Sequence, residues 1–153
     1  MVGPVPVVVK EAFCDNRPML RTITLALCLL CAGCYWLRYH DLVETHAGLM
    51  EQLAADSADQ VTAANRPLRP DDIERMRYPL ERARQFAKIA RRRFAGRPSL
   101  DRFEELIVAY AQLVESLDRV RLGSEAPTQA AALAADVAQR AASVRAAVTA
   151  ERG

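Results

Sequence analysis

Residues 71–94 read DDIERMRYPLERARQFAKIARRRF, and their spacing decides the fold class. Apolar side chains recur in this segment at alternating steps of three and four residues, as on the buried face of an α-helix. Two aspartates stand at its start and three arginines near its end, where each charge stabilises a helix terminus. The segment therefore predicts a helix with an apolar seam of Ile73, Met76, Leu80, Ala83, Ala87, Ala90 and Phe94.

A second apolar seam follows after the short break Ala95-Gly96-Arg97-Pro98. Gly96 suits the end of one helix, and Ser99 suits the N-cap of the next. Two matched seams joined by a short loop predict an antiparallel αα-hairpin. The second seam consists of Leu100, Phe103, Leu106, Tyr110, Leu113, Leu117 and Val120.

Two further helices are predicted outside the hairpin. The first carries a looser apolar stripe of Leu42, Leu49, Leu53 and Val61, flanked by Val43 and Met50. The last is rich in alanine and carries Leu133, Val137, Val144 and Val148 on one face. Because its apolar side chains are small, it either packs closely on the hairpin or frays, and a weakly docked helix is expected. Pro79 is expected to kink its helix or to mark a second start, because proline lacks an N–H donor. The fold class is thus all-α, a small helical bundle with helices at about 41–64, 71–94, 99–122 and 128–151.

An uncharged segment lies upstream of these helices. Arg21 precedes twelve uncharged residues, Thr22 to Gly33, which end on small side chains directly before Cys34. This order of basic, apolar and small residues is typical of a secretory signal. The segment, ending Leu30-Cys31-Ala32-Gly33-Cys34, resembles the signal peptide of bacterial lipoproteins. The resemblance implies that Cys34 receives lipid, palmitate among its acyl chains, and becomes the first mature residue.

The resemblance also implies a division of the chain and a location. Residues 1–18 are expected to be a disordered lead or an upstream start, 19–33 a signal peptide or membrane anchor, and 34–153 a single helical domain. Residues 41–153 are then expected on the periplasmic side of the bacterial cell envelope, tethered to the membrane. Tyr35 favours the outer membrane, because an Asp after the lipidated cysteine is associated with inner-membrane retention in some members of the family.

An uncleaved membrane anchor is the competing interpretation of the same segment. Thr22 to Leu37 is sixteen residues without a charge, about 24 Å as a helix against a hydrocarbon core of about 30 Å. Lys10, Arg17 and Arg21 would hold its N-terminal side in the cytoplasm. Both interpretations place residues 41–153 outside the cytoplasm.

Motifs for catalysis, cofactors or metals are nearly absent. Cys28, Cys31 and Cys34 are spaced like cluster ligands, but they lie in or at the end of an apolar segment and lack a fourth ligand. His40 and His46, six residues apart, do not share a helix face. We therefore predict no catalytic, cofactor-binding or metal-binding residue and no enzymatic activity.

Charge is unevenly distributed, although the net charge of the chain is only +2. Nine basic residues and one acid, Glu81, lie between Arg75 and Arg97. Two interpretations remain open: ion pairing with the acidic helix that follows, or a docking strip for an acidic protein, a lipid headgroup or another polyanion. In the second interpretation the partner-binding residues are Arg84, Lys88 and Arg91, which share one exposed helix flank.

The expected function is non-catalytic. The chain is predicted to be a membrane-anchored lipoprotein that serves as an adaptor or accessory subunit of an envelope protein complex, with membrane lipid and protein as partners. One alternative is a single-pass transmembrane accessory subunit of an integral membrane complex. The other is a basic hairpin that binds nucleic acid or another polyanion, which requires that 19–33 is not an export signal.

Overall fold

The computed structural model describes residues 17–63 and 67–153, and for residues 17–37 it describes the helical backbone only. Four helices make up this part: α1 (Arg17–Thr62), α2 (Pro70–Phe94), α3 (Pro98–Arg121) and α4 (Pro127–Arg152). Because the described residues contain no strand, the all-α prediction is confirmed. The lead predicted at 1–18 lies outside the described residues except for its last two.

The chain divides into two compact units, Met1–Trp36 and Leu37–Gly153. In the first unit, the described backbone is helical from Arg17 onward. The second unit is a helical bundle that contains the rest of α1 together with α2, α3 and α4. Within the ranges that the structure describes, no helix has the length and apolar character that crossing a bilayer requires.

Proline and glycine determine where the helices begin and end. The first residues of α2, α3 and α4 are Pro70, Pro98 and Pro127. Proline is suited to this position because the N–H that it lacks would have no acceptor inside the helix. Gly96 and Gly123 follow α2 and α3 with φ of 79° and 74°, a left-handed conformation that favours glycine and turns the chain.

Each helix of the bundle contributes one buried seam. The seams predicted for α2 and α3 are buried, except that Phe94 and Val120 are partly exposed. Pro79 is buried inside α2, which remains a single helix, so the predicted second start is wrong. The remaining two seams are Tyr39, Val43, Ala47, Met50 and Ala54 on α1, and Ala130, Ala134, Val137, Ala141, Val144 and Val148 on α4.

The stripe predicted for α1 is wrong. Leu42 and Leu49 are 44% and 43% exposed, whereas Val43 and Met50, which flank that stripe, are fully buried. The ring of Tyr39 stacks on Phe94 with centroids 4.1 Å apart, and the alanines of the observed seam let neighbouring helices approach closely. The aromatic contact of Tyr39 therefore accompanies the buried face of α1, and the number of large apolar side chains does not decide which face is buried.

The alanine-rich helix α4 is closely packed. All six positions of its seam are at most 5% exposed. Alanine and valine present little bulk, so α4 can lie nearer to its neighbours than a leucine-rich helix would. Close packing therefore describes α4 better than the weak docking expected from its sequence.

Candidate functional site

One end of the bundle gathers polar side chains from three helices; we call it the Leu37 end, after the residue that begins the unit. The Tyr39 hydroxyl lies 3.0 Å from the Ser99 hydroxyl, and His40 Nε2 lies 3.0 Å from a carboxylate oxygen of Glu151. Arg152, the next residue of α4, forms ion pairs with α1. The start of the bundle in α1, the start of α3 and the end of α4 therefore meet here.

Glu151 is the centre of this cluster. Its carboxylate accepts hydrogen bonds from the Ser99 N–H and from the Ser99 hydroxyl, both at 2.8 Å. An ionised carboxylate can only accept, so His40 donates its Nε2 proton. The N-cap of α3 is Arg97, which makes no side-chain capping hydrogen bond. Glu151 of α4 thus caps α3, and the prediction that Ser99 is the N-cap is wrong.

The pKa of Glu151 reflects two opposing effects. Burial alone would raise the pKa of the carboxyl group, because a charge is costly away from water. The hydrogen bonds from Ser99 and His40 favour the ionised form more strongly, so the pKa lies below its ordinary value. The carboxylate is therefore charged at neutral pH, and it is partly buried with its hydrogen bonds satisfied.

The geometry of the cluster is structural rather than catalytic. Activation of a serine requires that the histidine accept the serine proton directly. Here the Glu151 carboxylate binds both Ser99 and His40, and neither Ser99 nor His40 has any exposed surface. The arrangement locks helix ends together and offers no substrate access to the hydroxyl.

A second cluster lies between α2 and α3, where basic side chains meet acidic ones. Arg91 forms a two-pronged ion pair with Glu104, with distances of 2.9 and 2.5 Å. Arg77 lies 3.6 Å from Asp118 on the same two helices and 2.6 Å from Glu74 on its own helix. Part of the basic segment is thus neutralised within the protein, as the ion-pairing interpretation expected.

The three predicted partner-binding residues lie together around a groove between α2 and α3. Arg84, Lys88 and Arg91 line this groove of about 320 Å³. Arg84 pairs with Glu81 at 3.0 Å and Arg91 with Glu104, whereas Lys88 forms no ion pair within the described ranges. The floor of the groove is apolar and is formed by Ala87, Ile107 and Val108.

A larger groove of about 680 Å³ continues from Arg84 along the same two helices. Leu80, Ala111 and Val114 line it, with acidic and basic side chains beside them. Tyr78 also lines this groove and is 67% exposed. This larger groove is therefore open and lined by apolar, acidic and basic side chains together.

The remaining predicted site residue, Cys34, lies in α1, but its side chain is outside the described part of the structure. Among the described residues, no group of three His, Cys, Asp or Glu could hold a metal ion. Sequence reasoning missed Glu151 and His40 as partners, since they are 111 residues apart and no local pattern links them. Comparison of the chain with family models, with curated proteins and with solved structures finds no match.

Proposed function

We propose that this chain is a membrane-tethered, extracytoplasmic lipoprotein of the bacterial cell envelope. Its bundle acts as a non-catalytic adaptor or accessory subunit that binds a partner protein, and Cys34 carries the lipid. The resemblance of 19–34 to a lipoprotein signal supports the tether. The α2–α3 groove, lined by Arg84, Lys88 and Arg91, is the observation that carries the adaptor role.

The position of the bundle in the sequence supports a tether at Cys34. The compact unit begins at Leu37, three residues after Cys34. The first described core residue is Tyr39. Cleavage directly before Cys34 would therefore remove none of the described core and would leave a short link between lipid and bundle.

The groove depends on an antiparallel α2–α3 hairpin, which we propose as the framework of the bundle. Arg91 and Glu104 pair close to the connecting loop, and Arg77 and Asp118 pair far from it. In antiparallel helices, facing residues have numbers that add up to the same value. Both pairs add up to 195. Lys88 lies at the rim of this groove, where it is exposed and forms no ion pair in the described structure.

Nucleic acid fits this surface less well than protein does. Glu104 and Asp118 stand among the arginines of the two grooves and would repel a phosphate backbone. A partner protein with both acidic and apolar side chains would satisfy Lys88 and cover Val108, which is 58% exposed. A single-pass anchor at 22–37 would leave the same bundle with the same groove.

Recovery of the partner from native membranes tests the adaptor role. We expect Lys88→Glu to reduce recovery of co-purifying protein after cross-linking in intact cells and detergent solubilisation. Because Lys88 has no described ion pair, the reversal should spare folding. Arg75→Glu is the matched control, since Arg75 lies on the same helix, is exposed, has no described ion pair and lies outside both grooves. Equal recovery with both variants would remove the groove as the binding surface.

A further inference from the structure

The side of the bundle formed by α1 and α2 exposes apolar residues. The two helices meet there, with the rings of His46 and Phe86 5.4 Å apart. Leu42 and Leu49 lie about one turn on either side of His46, and Ile89 lies one turn beyond Phe86, so all three project from this side. They are 44%, 43% and 62% exposed. Half of the large apolar side chains exposed in the described part of the protein therefore lie on this side.

Arginines flank these apolar residues. Arg38 lies one turn before Leu42, and Arg92 lies one turn after Ile89, so each shares the side of its neighbour. Arg82 is two turns before Ile89 on the same side of α2, and its charge adds to the effect of burial in lowering the pKa of His46. All three arginines are exposed, and none forms an ion pair within the described ranges. We call this surface the basic–apolar face: Arg38, Leu42, Leu49, Arg82, Ile89 and Arg92.

The acids of the two helices lie elsewhere. Glu51 of α1 is bound to Arg145 of α4, and Asp41 and Glu44 are bound to Arg152 of α4. On α2, Glu81 pairs with Arg84 on the flank that faces α3.

The five other acids of the described parts of α1 and α2 lie farther from Leu37. Asp56 and Asp59 stand toward the end of α1, and Asp71 and Asp72 stand at the start of α2. Glu74, in the same part of α2, pairs with Arg77. Toward the Leu37 end, the basic–apolar face therefore carries positive charge without acidic compensation.

We propose that the basic–apolar face docks on an anionic phospholipid surface, that of the membrane to which Cys34 attaches the chain. The inference rests on the proposed tether. Leu37 lies three residues after Cys34, a distance of at most about 11 Å, so the bundle stays beside the headgroups. Guanidinium groups engage phosphate with paired hydrogen bonds, and leucine and isoleucine side chains enter the boundary between headgroups and acyl chains.

Arginine footprinting of the full chain in vesicles tests this inference. The chain purified from membranes is reconstituted in phosphatidylcholine vesicles with or without about one-third phosphatidylglycerol, then treated with a phenylglyoxal reagent. Peptide mass spectrometry reads the reaction rate at each arginine. An anionic surface contributes about 1 kcal/mol per nearby arginine, so phosphatidylglycerol should slow modification of Arg82 and Arg92 about five-fold. High salt should restore the rates.

Arg102 is the internal control, because it lies near the Leu37 end but on α3. It should react at the same rate in both kinds of vesicle. Arg82→Gln with Arg92→Gln should also relieve the protection of Arg38, whereas Arg102→Gln should not.

Equal rates at Arg92 in both vesicles would overturn the docking, as would equal protection of Arg92 and Arg102. Protection of Arg92 in native membranes but not in phosphatidylglycerol vesicles would overturn it in favour of a protein that covers the face. The intact mass of the same sample reports separately whether Cys34 carries lipid, so failure of the tether and failure of the docking are distinguishable.

Discussion

Replacement of Glu151 by alanine should destabilise the bundle severely, although Glu151 is two residues from the last residue of the sequence. The carboxylate accepts the Ser99 N–H, the Ser99 hydroxyl and the His40 Nε2–H. Removing it leaves two buried donors, the Ser99 N–H and the His40 Nε2–H, without an acceptor. Each unsatisfied buried donor costs about 1–3 kcal/mol, so the expected loss in the free energy of unfolding is about 2–6 kcal/mol.

Urea unfolding of the full chain in a non-ionic detergent, followed by circular dichroism, measures this loss. Glu105→Ala is the matched control, because Glu105 is 46% exposed and pairs with surface arginines. An exposed pair of this kind contributes about 0–1 kcal/mol. If Glu151→Ala costs no more than Glu105→Ala, the cluster does not hold the helix ends together.

The pH dependence of the same measurement adds a second test. The pKa of Glu151 in the folded protein lies below its ordinary value of 4.5. The ionised carboxylate therefore stabilises the fold at pH above 4.5, and this contribution is lost as the pH falls through the lower folded pKa. The difference between wild type and Glu151→Ala should be constant near neutral pH and should shrink below pH 4.5. A difference that does not change with pH would contradict an ionised Glu151.

Three further predictions concern single side chains. Leu113→Ala should cost about 2–5 kcal/mol because Leu113 is fully buried, whereas Val108→Ala on the same helix should cost little; equal losses in urea unfolding would mean that the wrong face of α3 is buried. Tyr110→Phe should leave stability unchanged or raise it by about 1 kcal/mol, because the buried Tyr110 hydroxyl has no hydrogen-bond partner among the described residues and burial raises its pKa; a large loss would reveal a partner. His46 should titrate below 6.5 by NMR, because burial and then Arg82 lower its pKa, and Arg82→Gln should raise the midpoint; an ordinary midpoint in wild type would contradict the packing of His46 on Phe86.

The seams of α2 and α3 could be predicted because their large apolar side chains repeat at helical spacing with few competing positions. The seam of α1 could not, because both Leu42 and Val43 belong to plausible stripes. The choice between them depends on the stacking of Tyr39 on Phe94, 55 residues away in the sequence. Local periodicity identifies a helix, whereas only tertiary contacts select its buried face.

The candidate sites also differ in how far the sequence alone could predict them. Arg84, Lys88 and Arg91 were found by helical spacing, and the structure places them around one groove. The ion pair of Arg91 with Glu104 of α3 depends on how the two helices are aligned, which spacing within one helix does not specify. No sequence pattern predicts the Glu151 cluster. A glutamate in the last turn of a helix is common, and only the packing of another helix brings Ser99 to this one.

The intact mass of the protein isolated from membranes tests the central claim most directly. A lipoprotein tether predicts a chain that begins at Cys34 and carries acyl chains on that residue, together with an unprocessed precursor in Cys34→Ala. Two chains are expected because a single one gives only marginal membrane attachment. A wild-type mass that retains residues 19–33 and carries no lipid would contradict the tether and favour an uncleaved anchor.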